Sequence, residues 1–237
     1  MMKWHNDIYN TPAYSVKDAA RYLDVPLITL RSWITGRFYS TKVGQQEFEP
    51  LIQRPDPQLP QLSFTNLVEA HVLRSLRNRQ IKLDKVRTAL DYISREFGTD
   101  HPLVIKRFQT DGVDLFVDQI VEGQRKELID VGRGGQLAMR ETLKTLLTRI
   151  EWNAQGIASR FFPRLEPSPE PEKDRIIILD PSVRFGKPMI AGKGIPTDII
   201  AELFNAGDSI KDIAEDYDCS TLQVETAIQF EFQNRAA

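Results

Sequence analysis

With a single cysteine in 237 residues, Cys219, the chain cannot build an internal disulfide framework or a cysteine-rich zinc site, and a reducing compartment is the expected setting. No apolar run approaches the roughly 18 residues a bilayer span requires, and the opening residues MMKWHNDIYN lack a signal-like apolar core. A cytoplasmic protein without membrane association is therefore expected. Histidine is scarce too: His5, His71 and His101 lie far apart without metal-ligand spacing, and no nucleophilic triad is visible. Neither an enzyme nor a cofactor is expected. Net charge is only -2, so affinity for a polyanion has to come from local asymmetry. What is present is ordinary globular composition, 41% hydrophobic and 27% charged, which excludes a disordered or fibrous chain and leaves room for two or more folded units.

The asymmetry exists. Between Arg21 and Arg54 stand Arg21, Arg31, Arg37, Lys42 and Arg54 against Asp24, Glu47 and Glu49, whereas Glu166 to Asp218 is rich in acids. Proline marks the joints. Pro163 to Asp174, PRLEPSPEPEKD, cannot bury a helix face and reads as a linker, and Pro55, Pro57 and Pro60 close off the first motif. Four regions are expected: residues 1–62 as a winged helix-turn-helix, 63–162 as a helical and small-sheet middle, 163–174 as the linker, and 175–237 as a three-helix unit. The fold class is mainly α with small β elements (α+β).

In the middle, apolar residues recur at helical spacing from Phe64 to Phe97, which predicts two packed helices joined near Lys82 to Asp84. Asp111-Gly112 between alternating apolar residues predicts a hairpin, and KELIDV another strand. Gly132, Gly134 and Gly135 mark a turn before a helix over Gln136 to Trp152 that carries Leu137, Leu143, Leu146 and Leu147. Asp111, Asp114, Asp118 and Glu122 could gather as acidic ligands for magnesium, but a solvated strand face accounts for them better than a metal site does.

Tyr14 to Ile34, YSVKDAARYLDVPLITLRSWI, predicts two short helices around a tight turn, with Ser15 capping the first, Val25 plugging the turn and Leu30, Trp33 and Ile34 pointing inward. That phase leaves Thr29, Arg31 and Ser32 outside, where hydroxyl and guanidinium groups reach base edges and phosphates. The alternating stretch that follows supplies Arg37, Tyr39 and Lys42 on a candidate hairpin wing. The segment resembles the winged helix-turn-helix of the MerR and excisionase-like families, most specifically at Ala19-Ala20, Val25 and Thr29-Leu30-Arg31-Ser32-Trp33. That resemblance implies duplex operator DNA as a ligand, met by Thr29, Arg31 and Arg37. The sole cysteine lies far from this region, so metal sensing is not expected.

After the linker, Ile176 to Leu179 reads as a buried strand, and Gly186, Pro188, Gly192, Gly194 and Pro196 force a series of turns. Three short helices follow, the second opened by Ser209 with Asp212 and the third by a capping box of Ser220 with Gln223. The glycine spacing does not match a phosphate-binding GxxxxGK[ST] loop. Pro181, Gly186-Lys187-Pro188, Gly192, Gly194-Ile195-Pro196, Gly207, Ile213 and Tyr217 together resemble the domain of unknown function 433 family, with Lys193-Gly194 where that family commonly has Thr-Arg. Many of its members act as antitoxins beside PIN-like ribonuclease toxins. The resemblance implies a VapB-type antitoxin of a type II pair that neutralises such a toxin and represses its own operator. A homodimer is expected, since its symmetry lets two recognition helices meet two half-sites, with helices 64–97 or 136–152 as the pairing candidates. Arg184, Lys187 and Arg235 are the candidate cations for a toxin's acidic cleft. A stand-alone MerR-like regulator that senses a small ligand in the middle region is the alternative.

Overall fold

A computed structural model describes residues 8–41, 44–77, 81–125, 133–163 and 175–232, with only the backbone of strand residues 37–41 and 44–48 described. The architecture is mainly helical with small antiparallel sheets.

The N-terminal elements begin with β1 (Tyr14–Ser15), which pairs with the later β4 (Gln61–Leu62). Ser15 then caps α1 (Val16–Leu23): its Oγ accepts from the Asp18 amide at 3.0 Å and donates to the Asp18 carboxylate at 2.6 Å. One donor that every helix start leaves orphaned is thereby satisfied. Asp24 ends α1 in the left-handed region, and α2 (Leu27–Thr35) starts after Pro26, whose carbonyl accepts from the Leu30 amide at 3.0 Å. Two strands, β2 (Arg37–Thr41) and β3 (Gly44–Phe48), pair antiparallel as the wing.

The middle region is built on α3 (Phe64–Arg77), whose first ten residues are all buried. α4 (Leu83–Phe97) follows, but the two helices do not pack mainly on each other as the pattern predicted: α3 lies against α6 and α1, and α4 along α5. The predicted hairpin is also absent. Phe108–Gly112 forms a π-helical turn leading into α5 (Val113–Arg125). Val113, Phe116, Val117, Ile120 and Val121 are buried there at helical spacing while Leu115 is exposed. Lys126 to Val131, the predicted further strand, lies outside the described residues. α6 (Arg133–Leu147) begins three residues earlier than predicted, taking Gly134 and Gly135 into its first turn, and ends before Ile150, which with Trp152 belongs to β5 (Ile150–Trp152). Leu137 on α6 is 58% exposed, so it is not part of the buried stripe. β6 (Ala158–Phe161) pairs with β5 across a bulge.

The C-terminal unit opens with a three-stranded antiparallel sheet, β7 (Ile177–Ile178), β8 (Met189–Ile190) and β9 (Ile195–Pro196). Three helices follow: α7 (Thr197–Ala206), α8 (Ile210–Asp216) and α9 (Thr221–Phe232). The serine caps are present: Ser209 accepts from the Asp212 amide at 3.1 Å, and Ser220 and Gln223 bond reciprocally at 2.9 and 3.2 Å. Ile200, Ile213, Ala214, Val224 and Ala227 close the helical core. This unit is not free-standing in the fold. Leu179 exchanges two backbone hydrogen bonds with Phe161 of β6, at 2.8 and 3.0 Å, and one continuous apolar core runs from Tyr14 to Phe230.

Candidate nucleic-acid interface

Burial of Leu23, Val25, Leu30, Trp33 and Ile34 fixes the angle between α1 and α2. The Trp33 carbonyl then accepts from the amides of Leu51 and Ile52, at 2.7 and 3.0 Å, which ties the chain leaving the wing back to the base of α2. Turned outward on α2 are Ile28, 79% exposed, with Arg31 and Thr35, at i, i+3 and i+7 on one face. α2 carries no acidic residue. Among the described residues no hydrogen bond or ion pair engages the Arg31 guanidinium, so its donors are available to an acceptor from outside.

The predicted contact residues separate. Arg31 stands on the open face, whereas Thr29 and Ser32 are half-buried and line a cavity of about 290 Å³ together with Trp33, Leu51, Leu73 and Val86. Ser32 Oγ donates to the Thr29 carbonyl at 2.7 Å. Arg37 and Tyr39 sit on β2 opposite Phe48 and Gln46, and Lys42 lies outside the described residues. Ile28 was missed by the sequence reasoning. Its signal was there, since it falls out of phase with Leu30, Trp33 and Ile34, and an apolar side chain on such a face suits a thymine methyl group.

Not every cation of the basic stretch is available. Arg54 donates to the carbonyls of Pro57 and Leu59, and Arg21 pairs with Glu231 of α9. Glu231 also accepts from Thr197 Oγ1 at 2.6 Å, so one buried carboxylate joins α1, α7 and α9. Burial opposes the charge of Arg21, but the hydrogen bond and charge of Glu231 prevail and hold its pKa above the ordinary value. Beside this pair the rings of Tyr22 and Phe230 stack at 5.7 Å, and burial pushes the Tyr22 hydroxyl up to about 12. Tyr14, buried and likewise pushed upward by burial, donates to the Gly186 carbonyl at 3.1 Å. The C-terminal unit is therefore fastened to the back of the helix-turn-helix, opposite in role to the open face of α2.

Among the candidate partner-binding cations, Arg184 and Lys187 are exposed on the turn before β8, with Lys187 3.8 Å from Asp198, while Arg235 lies outside the described residues. The acidic cluster is on a helix and not a strand. Arg140 of α6 pairs with Asp114, at 2.9 Å, and with Asp118; Asp111 lies 3.8 Å from Arg107. No group of three or more His, Cys, Asp or Glu able to hold a metal ion occurs among the described residues. His71 and His101 are structural: His101 Nδ1 lies 2.8 Å from Glu69, and His71 packs on Phe161. Nor is any described helix long and apolar enough to cross a membrane.

Known proteins share both units. Residues 12–90 match the family model "Putative DNA-binding HTH domain", and residues 177–230 match "Protein of unknown function (DUF433)". The chain is 27% identical to "Putative antitoxin VapB45" of Mycobacterium tuberculosis, over 93% of this chain and 94% of the relative. It is 23% identical to the uncharacterised protein Rv2308 of the same organism, over 94% and 92%. The crystal structure of Rv2018 from that organism shares the fold at a TM-score of 0.66 and 22% identity, covering 93% of this chain and 99% of that one. With the open face of α2 at one end and the GKP and G-I-P turns at the other, the chain is similar to a helix-turn-helix family of DNA-binding type over its N-terminal third and to DUF433 over its C-terminal unit.

Proposed function

We propose that this protein is the antitoxin of a type II toxin-antitoxin pair: the winged helix-turn-helix holds operator DNA as an autorepressor, and the C-terminal unit neutralises a PIN-like ribonuclease toxin in the cytoplasm. The observation that carries the reading is the open face of α2, with Ile28 and Arg31 turned outward in a domain whose other helix is buried against the rest of the chain. Arg31 is positioned to donate two hydrogen bonds to a guanine edge in the major groove, and Ile28 to cover a neighbouring thymine methyl. Thr29, Ser32, Arg37, Tyr39 and Lys42 complete the DNA-binding set, the wing residues on phosphates. A homodimer presents two such helices to half-sites about 34 Å apart on one face of the duplex. Arg184, Lys187 and Arg235 face the toxin. Similarity to an antitoxin along nearly the whole chain supports this division of labour.

The experiment is co-purification of the tagged chain from its native host, followed by titration of the eluate against its own promoter duplex. A co-eluting small ribonuclease with specific promoter binding is the expected result; promoter binding without any protein partner overturns the antitoxin reading. A second reading, a stand-alone regulator that senses a small ligand, is favoured by the cavity of about 290 Å³ behind α2, since an occupant there would touch the recognition helix directly. A metabolite carried through purification in place of a ribonuclease would select it.

A further inference from the structure

The turn between β7 and β8 holds an aromatic side chain in the solvent at a conformational cost. Arg184, Phe185 and Gly186 all have positive φ, 48, 56 and 75°. For glycine this is free, but for arginine and phenylalanine it is disfavoured by contact between Cβ and the backbone. The turn is fixed from behind. Buried Tyr14 donates to the Gly186 carbonyl, and its hydroxyl lies 1.9 Å from where a Cβ on residue 186 would be. Phe185 is 87% exposed, the most exposed large apolar side chain among the described residues, and gains no burial in return for the strain. Arg184, exposed and with no hydrogen bond or ion pair to its guanidinium among the described residues, stands on one side of it; Lys187 stands on the other.

We infer that this turn is the anchor for the protein partner: Phe185 inserts into an apolar pocket of the partner, and Arg184 and Lys187 meet carboxylates on that pocket's rim. An aromatic residue flanked by cations is the composition in which binding energy concentrates at protein interfaces. A rigid turn loses little freedom on docking, because the strained conformation is already in place. A protein fits this surface better than nucleic acid. The neighbouring helices α7 and α8 expose Asp198, Glu202, Asp212, Glu215 and Asp216, which repel phosphates but leave room for a partner whose acids converge on Arg184 and Lys187. The inference rests on the antitoxin reading and names the surface that meets the ribonuclease.

The experiment compares Phe185→Asn with the full-length wild type in titrations against the co-purified ribonuclease and the promoter duplex, alongside thermal melting. Asparagine tolerates the left-handed backbone, so a melting temperature equal to or above the wild type is expected and separates binding from folding. Ribonuclease affinity is expected to fall about 30-fold or more with promoter affinity unchanged. The double variant Arg184→Ala/Lys187→Ala is expected to bind the ribonuclease more weakly and with a shallower salt dependence. Equal ribonuclease affinity for Phe185→Asn and wild type overturns the inference while leaving the antitoxin reading intact. Loss confined to promoter binding overturns it in favour of a nucleic-acid contact. Failure of the wild type itself to bind a ribonuclease overturns the antitoxin reading, and the anchor with it.

Discussion

The two ends of this chain are written in the same local grammar and used in opposite ways. Each starts helices with a serine that takes the amide three residues on, Ser15 with Asp18 and Ser209 with Asp212, and each packs short helices around small buried residues such as Ala19 and Ala214. At the N-terminal end one helix face, that of α2, is left open without a single acidic residue. At the C-terminal end α7 and α8 are ringed by carboxylates, and α9 packs on both of them while its last turn meets α1 through Glu231 and Phe230. Helix-turn-helix geometry is thus a scaffold in both units, and the charge of its outward face decides what it meets.

The largest effect expected on this contrast comes from Trp33→Ala. Trp33 is buried at the junction of α2, the wing and the middle region, and its loss should destabilise the chain by about 3–5 kcal/mol in urea unfolding. Phe204→Ala on the partly exposed face of α7 should cost less. Next is Glu231→Gln, which leaves the half-buried Arg21 without its counter-charge and should cost about 3 kcal/mol. A double-mutant cycle with Arg21→Met tests whether the ends are coupled; strict additivity would mean that they are independent. Arg31→Ala should then weaken promoter binding by about 1–3 kcal/mol and reduce the salt slope by about one, while Lys211→Ala on α8 changes neither. Equal losses from both substitutions would erase the proposed division between an open basic face and an acidic one.

The smallest effect concerns the middle region that carries both ends. Burial opposes protonation of His101, but the charge and hydrogen bond of Glu69 prevail and hold its pKa above the ordinary value. Its stabilisation is therefore complete below about pH 6.5, the unfolded value, and is lost as pH rises through the folded one. His71 behaves in the opposite sense. Burial, aided by Arg149, lowers it from 6.5 to about 3, so the fold loses stability as pH falls below the unfolded value. His101→Gln should cost more at pH 5.5 than at pH 9, and His71→Gln less at pH 5 than at pH 8, in denaturant titrations across that range.

Local chemistry was legible in the sequence, and distance was not. The serine caps, the inward set Leu30, Trp33 and Ile34, and the mainly helical α+β class could be read because each is decided within a few residues. Phe108 to Val121 misled because Val113, Leu115 and Val117 alternate. Burial of Phe116 and Ile120 chose the helix, and Gly112 serves there as the space for the Phe108 ring, 2.6 Å from where a Cβ would be. At the site, the helix phase placed Arg31 outside, but it did not show that Thr29 and Ser32 would line a cavity shared with residues of the middle helices. Nothing near Arg21 announces a partner 210 residues away.

That last separation sets an order of events during synthesis. At roughly 5–20 residues per second, Arg21 of α1 is made some 10–40 s before the carboxylate that neutralises it. Throughout that interval the nascent first domain displays a bare guanidinium and the Tyr22 ring on the surface that α9 will cover. Only when the last helix has been made and has left the ribosome can it seal the first.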